Sequence, residues 1–211
     1  MRGYLETLTM PDVRLDEATR GRYLAIVGDE TQRLERLIGD LLDLARLEGG
    51  GGTLRFDEIP VVQLFDRVVA RHERASADAG VTIAASIGPG AETVHGDRDR
   101  LEQALQNLAA NAIRYARRGT SVRLTSKPAA SGIALSVEDE GAGIPAEQQP
   151  HVFDRFYKAD PSRAFETASG SGLGLSIVKA IVERHGGTIS VSSRPGRTVF
   201  EMVLPRGEVR T

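Results

Sequence analysis

The sequence predicts an α+β protein: a two-layer α/β sandwich with a mixed β-sheet that carries helices on one face, preceded by a helical-bundle segment. Three observations support this. A long amphipathic helix comes first, four glycines come directly after it, and short apolar strands then interleave with helices. The last two strands are adjacent and joined by a turn, which favours a mixed sheet over a doubly wound parallel one.

The first long element is a helix over residues 16–47. Its apolar residues recur at heptad spacing in a stripe broad enough for a helical bundle. The stripe contains Leu24, Val27, Leu34, Leu37, Ile38, Leu41, Leu42, Leu44 and Ala45. A lone helix cannot bury this stripe, so we expect a partner: a short helix over residues 3–9, a second copy of the chain, or the helix's own domain.

Four consecutive glycines, residues 49–52, end this helix because glycine has the greatest backbone freedom. The predicted organisation is a partial helical hairpin over residues 1–48, a glycine-rich hinge over 49–53, an α/β domain over 54–205 and a polar tail over 206–211. In the larger domain we expect helices at 61–79, 97–117 and 173–185, and strands at 53–57, 81–87, 122–126, 133–138, 188–193 and 198–204.

Composition excludes several classes of function. The net charge is −2 with no basic block, so no nucleic-acid or acidic-membrane partner is expected. The absence of cysteine excludes disulfides, thiolate catalysis and cysteine-ligated zinc. No apolar run reaches the roughly 20 residues that cross a bilayer, so no membrane segment is predicted in this chain.

The helix over 97–117 carries a polar stripe beside its apolar face. Asn107, Asn111, Arg114 and Tyr115 succeed one another at spacings of four, three and one, which places them on one side of the helix. Asparagine inside a helix costs roughly 0.6 kcal/mol relative to alanine, so two of them call for a reason. Amide oxygens are hard, neutral ligands that suit Mg²⁺ beside phosphates. The alternative is a pair of solvated or capping asparagines.

An acidic, glycine-containing loop comes after an apolar strand, at Asp139. Its carboxylate can accept a hydrogen bond from an exocyclic amine, and Gly141 and Gly143, before Ile144, allow a flat ring to approach the backbone. An ordinary acidic turn is the alternative.

A second glycine-rich segment opens the helix over 173–185. It reads Gly170, Ser171, Gly172, Leu173, Gly174, Leu175. Exposed N–H groups and the positive end of the helix dipole make such a start an anion site. It is neither a Walker A loop nor a dinucleotide fingerprint, and a plain flexible loop is the alternative.

In this order, the three segments resemble the histidine-kinase branch of the GHKL ATPase superfamily. Residues 107–115 resemble its N box, 139–143 its first glycine box, 152–157 its F box and 170–175 its second glycine box. Residues 186–189 and 194–205 resemble the family's closing strands. The resemblance spans residues 54–205, and residues 40–48 resemble the end of the second helix of the family's dimerisation bundle.

The resemblance implies a Bergerat ATP-binding fold with ATP and Mg²⁺ as cofactors. Asn111, with Asn107, would hold the metal, Asp139 would accept from the adenine amine, and residues 157–171 would form a lid. Arg155 and Lys158 are candidate phosphate contacts, unless they are simply solvated, and Arg114 stands where the family often has lysine. The implied ATP-binding set is Asn107, Asn111, Arg114, Tyr115, Asp139, Gly141, Gly143, Ile144, Phe156, Lys158, Gly170, Gly172, Leu173, Gly174, Leu175 and Thr198.

The family's phosphoacceptor histidine lies in a His-Glu/Asp-Leu-Arg-x-Pro-Leu segment of the first bundle helix. The first residues of this sequence, from Met1 to Glu6, resemble the part of that helix a few positions after the segment. We therefore expect the acceptor and its adjacent base to be missing and assign no catalytic residue. The four histidines, His72, His95, His151 and His185, lack the segment's context.

The resemblance therefore implies the Mg-ATP-binding part of a two-component histidine kinase, which donates the γ-phosphate to a histidine missing from this chain through truncation or supplied in trans. Its partners would be a second copy of the chain through the bundle, a response regulator and a separate histidine-bearing kinase chain. The chain would be the cytoplasmic portion of a kinase, with or without a membrane anchor. The alternative is a non-catalytic, ATP-binding regulatory pseudokinase; an anti-sigma type of kinase would not need the bundle helix.

Overall fold

The computed structural model describes residues 2–10, 15–157 and 171–207, in which two helices precede a mixed α/β domain. The helices are α1 (Arg2–Thr9), α2 (Glu17–Glu48), α3 (Val61–Ala79), α4 (Arg98–Tyr115) and α5 (Gly174–Arg184), with a 3₁₀ turn at Gln149–His151. The strands are β1 (Asp57–Pro60), β2 (Thr82–Ile87), β3 (Thr93–Gly96), β4 (Ser121–Ala129), β5 (Gly132–Asp139), β6 (Thr188–Arg194) and β7 (Arg197–Pro205).

Five strands form the main sheet in the order β2-β4-β5-β7-β6. The β2–β4 pair is parallel and the other three pairs are antiparallel, so the sheet is mixed, as predicted. Buried and half-buried residues alternate along β7, as they do in a sheet that is covered on one face only. Helices α3, α4 and α5 supply that cover, which confirms the predicted two-layer sandwich.

Helix α4 lies between α3 and α5 and carries the asparagine stripe of the candidate site. Its N-terminus is capped by Asp97, whose carboxylate accepts a hydrogen bond from the Arg100 N–H at 3.2 Å. The inward face packs into the core through Leu101, Leu105, Leu108 and Ala112. The helix stops at Tyr115, two residues earlier than predicted, because Ala116 turns to extended backbone and bridges to Gly141.

One predicted strand was wrong and one strand was missed. Residues 53–56 are not a strand; β1 begins at Asp57 and pairs antiparallel with β3. The missed β3 is four residues long and buries the side chain of Val94 between polar neighbours. Such a short element has no periodicity to detect, and its strand conformation depends on pairing with β1, which is distant in the sequence.

The apolar stripe of α2 is divided between two environments. Leu24, Ile38, Leu41 and Leu42 are exposed in the single chain, whereas Leu44 and Leu47 are buried with the core of the α/β domain. Helix α1 lies against α2, with the rings of Tyr4 and Tyr23 5.0 Å apart. Among the residues that the structure describes, none of these helices is both long and apolar enough to cross a bilayer.

We expect Leu105→Ala to lower the free energy of unfolding by about 2–5 kcal/mol, because it opens a cavity under α4. Leu105 is fully buried. Urea denaturation monitored by circular dichroism measures the change. Val62→Ala removes apolar atoms from an exposed position on α3 and serves as the control, with an expected change below about 0.5 kcal/mol. Equal effects of the two substitutions would contradict this packing.

Candidate functional site

The polar stripe of α4 faces away from the sheet, toward the beginning of α5. Asn107 and Asn111 are half-buried, and Tyr115 is exposed. The Asn107 side-chain amide donates to the Gly174 carbonyl at 3.3 Å, which ties the stripe to the second glycine segment. Asn107 therefore lies beside the start of α5, and Asn111 lies one turn further along the same side of α4.

Asp139 lies at the end of β5 and is buried, with 3% of its surface exposed. Burial raises the pKa of Asp139 from 3.8 to about 6; the hydrogen bond from the Gly141 N–H opposes this rise and the neighbouring charge of Glu138 adds to it. The Gly141 N–H donates to Oδ1 at 2.8 Å. The carboxylate thus keeps lone pairs for a further donor, as recognition of an amine requires.

The loop after Asp139 is held by the β6–β7 hairpin. The Ile144 N–H donates to the Ser193 hydroxyl at 2.8 Å, and that hydroxyl lies 2.7 Å from the Thr198 hydroxyl. Gly143 has φ +85°, and a Cβ there would come within 2.6 Å of the Arg194 backbone. Only glycine fits at position 143 without strain, so the backbone of this loop is preorganised.

Thr198 pairs directly with Asp139 across β5 and β7. It is buried like its partner. Thr198, which the sequence predicts as a site residue, therefore lies beside Asp139, although the two residues are distant in the sequence.

The second glycine segment forms the start of α5. Gly172 has φ +74° and its carbonyl accepts from the Phe156 N–H at 2.9 Å, while Phe156 itself has φ +61°. Leu173 is buried and provides no side-chain cap for the helix. The N–H groups in the first turn, including that of Leu175, lack acceptors within the helix, so this end can attract an anion.

Some predicted site residues lie outside the described residues or have contacts that the sequence did not predict. Lys158 and Gly170 lie outside the described residues, as does the predicted lid except for its ends. The Arg155 guanidinium binds the Glu48 carboxylate in this structure. Phe156 is 58% exposed.

Sequence reasoning missed Ser193 and Gln149, which hold the Ile144 loop. The Gln149 amide donates to the carbonyls of Ile144 and Ser193, both at 2.9 Å. No motif distinguishes these residues in the sequence.

Structural partners surround His185, His95 and His151. His185 is buried; its Nε2 accepts from the Asp97 N–H at 2.9 Å and its Nδ1 lies 2.7 Å from the Ile181 carbonyl. Because Nε2 accepts a hydrogen bond from an N–H, the ring is neutral, and burial lowers the pKa of His185 in the same sense. The ring of Phe56 lies 5.4 Å from that of His95 at a tilt of 31°, and His151 Nδ1 lies 3.0 Å from the Asp154 carboxylate.

The comparison with known families agrees with this geometry. A family model described as the histidine kinase-, DNA gyrase B- and HSP90-like ATPase matches residues 96–208, more than half of the chain. The chain belongs to this family. The match includes both glycine segments and the asparagine stripe of this histidine kinase-like ATPase.

The proteins similar to this chain include sensor proteins and histidine kinases. It is 36% identical to the sensor protein SrrB of Staphylococcus aureus over 99% of this chain and 35% of SrrB. The chain thus spans about a third of the length of the curated relatives it matches. The Acinetobacter baumannii histidine kinase AdeS superimposes with a TM-score of 0.78 at 25% identity, over 98% of this chain and 93% of AdeS. Full-length ShkA in complex with AMPPNP superimposes with a TM-score of 0.72 at 25% identity, over 98% of this chain and 43% of ShkA.

A second family model, the His Kinase A (phospho-acceptor) domain, matches residues 1–50 of the ATPase. The expectation that the phosphoacceptor segment is missing is therefore not confirmed by the comparisons. The matched residues themselves contain no histidine, since the four in this sequence are at positions 72, 95, 151 and 185.

We expect the stability that Asp139 contributes to fall as the pH rises. A buried carboxyl with a raised pKa favours the neutral form, so ionisation between about pH 4 and pH 7 costs folding free energy. The free energy of unfolding of the wild type minus that of Asp139→Asn should fall by roughly 2–3 kcal/mol over this range. Urea unfolding of both proteins at each pH measures this difference in the free energy of unfolding. A constant difference would contradict the burial of an ionisable Asp139.

Proposed function

We propose that this chain binds Mg²⁺-ATP and donates the γ-phosphate to a histidine of a two-component signalling system. The observation that carries the proposal is the contact between Asn107 on α4 and Gly174 at the start of α5, since it joins a neutral metal-ligand stripe to an anion-binding helix end. Membership of the ATPase family and the likeness to the AMPPNP-bound ShkA support it.

Adenine recognition is assigned to the end of β5. The ionised Asp139 carboxylate accepts the exocyclic amine, and its burial strengthens that hydrogen bond because water cannot compete for it. Gly141, Gly143 and Ile144 supply the backbone against which a flat ring can lie. Tyr115, exposed at the end of α4, packs near the base.

The phosphate end is assigned to α4 and α5. Asn111, with Asn107, holds Mg²⁺, and the magnesium ion when bound neutralises phosphate charge. The first turn of α5, from Gly172 to Leu175, presents backbone N–H groups to the phosphates. Arg114, Phe156, Lys158, Gly170 and Thr198 complete the proposed ATP-binding set.

The chain's own contribution to transfer is positioning and charge stabilisation, because phosphoryl transfer requires little covalent chemistry from the protein. The bundle segment, residues 1–48, pairs with a second copy of the chain through the exposed stripe of α2. The hinge over 49–53 then joins it to the ATP-binding domain over 54–205. A response regulator receives the phosphoryl group, and the chain acts as the cytoplasmic portion of a sensor kinase.

We expect Asp139→Asn to weaken Mg²⁺-ATP binding by at least tenfold, because a charge-assisted hydrogen bond of about 1.5–3 kcal/mol is lost. Isothermal titration calorimetry of the full chain measures the affinity. The control is Glu140→Gln, which also replaces a carboxylate by an amide, at the next residue, where the side chain binds Arg123 and Ser121. Its affinity for Mg²⁺-ATP should stay within about twofold of the wild-type affinity. Unchanged affinity in Asp139→Asn would rule out the adenine assignment.

Transfer is tested with a copy of the chain extended before Met1 by the family's phosphoacceptor segment. We expect the unextended chain to label that copy from γ-labelled ATP, and Asn111→Ala in the unextended chain to reduce the rate at least tenfold, because the metal loses a ligand. The extended copy also carries Asp139→Asn, which weakens its labelling of itself, so that most of the label it receives comes from the unextended chain. Nucleotide binding without labelling would favour the regulatory pseudokinase instead.

A further inference from the structure

A polar groove lies between α3 and α4, beside the asparagine stripe. Its volume is about 370 Å³, which falls within the range of small-ligand sites. Arginines of α3 and polar residues of α4 line it, among them Arg67, Arg71, Gln103, Gln106 and Asn107. The groove therefore ends at a residue that the proposed function assigns to magnesium.

Contacts between α3 and α4 show which part of the groove each side chain occupies. The Arg67 guanidinium pairs with the Glu102 carboxylate at 3.1 Å. About one turn further along both helices, the His72 ring lies against Gln106. The two helices therefore run side by side in the same direction. Arg71 precedes His72, so it lies at the end of the groove nearest to the asparagine stripe.

The charges that line the groove are unevenly distributed. The Glu102 carboxylate is neutralised by Arg67, and Asp99 lies in the first turn of α4, about two turns before Asn107. The Arg71 side chain is exposed and has no hydrogen-bond or ion-pair partner within residues 2–10, 15–157 and 171–207. An uncompensated guanidinium therefore lines the groove at its asparagine end.

The nucleotide of the proposed function runs along α4 toward this end of the groove. The adenine site, at Asp139, is beside the C-terminal end of α4, where Ala116 bridges to Gly141. The proposed metal ligands Asn111 and Asn107 lie about one and two turns back along the helix. The phosphate farthest from the adenine, which is the γ-phosphate, therefore lies nearest to the groove.

We propose that Arg71 binds the γ-phosphate of Mg²⁺-ATP from α3, on the other side of α4 from α5. This inference deepens the proposed function and rests on it. A guanidinium presents a planar fork of N–H donors that matches phosphate oxygens, and it stays charged throughout the pH range in which proteins are folded. Because ADP lacks the γ-phosphate, Arg71 makes the site selective for ATP over the product of phosphoryl transfer.

The ratio of the affinity for Mg²⁺-ATP to the affinity for Mg²⁺-ADP tests this role of Arg71. Isothermal titration calorimetry of the full chain with each nucleotide measures the two affinities. We expect Arg71→Gln to lower the ratio at least fivefold, because a charge-assisted hydrogen bond to the γ-phosphate is lost. The affinity for Mg²⁺-ADP should stay within about twofold of the wild-type affinity, which also shows that the variant is folded.

Two further variants make the test specific to the charge at position 71. Arg74→Gln makes the same substitution on α3 at a side chain that is 95% exposed and outside the groove, and it should leave the ratio unchanged within about twofold. Arg71→Lys keeps the charge but loses the fork, so its ratio should lie between those of the wild type and Arg71→Gln.

An unchanged ratio in Arg71→Gln, an equal loss in Arg74→Gln, or a lysine no better than glutamine at position 71 would overturn the role of Arg71. Each of these results would leave the proposed function intact, because both nucleotides would still bind. Failure of the wild type to bind either nucleotide would overturn the proposed function as well.

Phosphorus NMR of bound Mg²⁺-ATP identifies the phosphate that Arg71 contacts. Between the saturated complexes of the wild type and of Arg71→Gln, the γ-phosphorus resonance should change position more than the α-phosphorus resonance. Equal positions of the γ-phosphorus resonance in the two complexes, or a larger change at the α-phosphorus, would place Arg71 away from the γ-phosphate. The inference would then fail even if the affinities differ.

Discussion

The candidate site depends on the burial of one face of α4. Leu101, Leu105 and Leu108 lie fully inside the core, and each contributes about 2 kcal/mol relative to an exposed position. Against this, each asparagine on the opposite side costs roughly 0.6 kcal/mol in helix propensity. Core packing therefore determines the rotation of the helix, and that rotation turns Asn107 and Asn111 outward toward α5.

The residues around this helix are arranged at a cost to stability. Asp139 is buried with its pKa raised to about 6, so its ionised form is disfavoured in the folded chain. Phe156 adopts φ +61°, a left-handed conformation that costs a non-glycine residue on the order of 1 kcal/mol. Both lie where a ligand is proposed to bind, which is where proteins tolerate such costs.

The features that local patterns encode were predictable from the sequence. The span of α3, the mixed sheet and the asparagine stripe are all indicated by periodicity and turn residues within short windows.

The contacts that required the structure are long-range ones. Heptad spacing predicted an apolar stripe but could not assign Leu44 and Leu47 to the ATPase core, because periodicity does not identify the partner. The support that Ser193 gives to Ile144 depends in the same way on the packing of β6 beside the loop. The roles assigned to the site residues, including Lys158 and Gly170, stay predictions.

Amide NMR of the ¹⁵N-labelled chain titrated with Mg²⁺-ATP tests most directly whether α4, β5 and α5 form one nucleotide site. We expect saturable shifts concentrated at three places: Asn107 and Asn111, the loop from Asp139 to Ile144, and the start of α5 at Gly172–Leu175. Shifts confined to one of these places, or located elsewhere on the sheet or on α1, would contradict a common site.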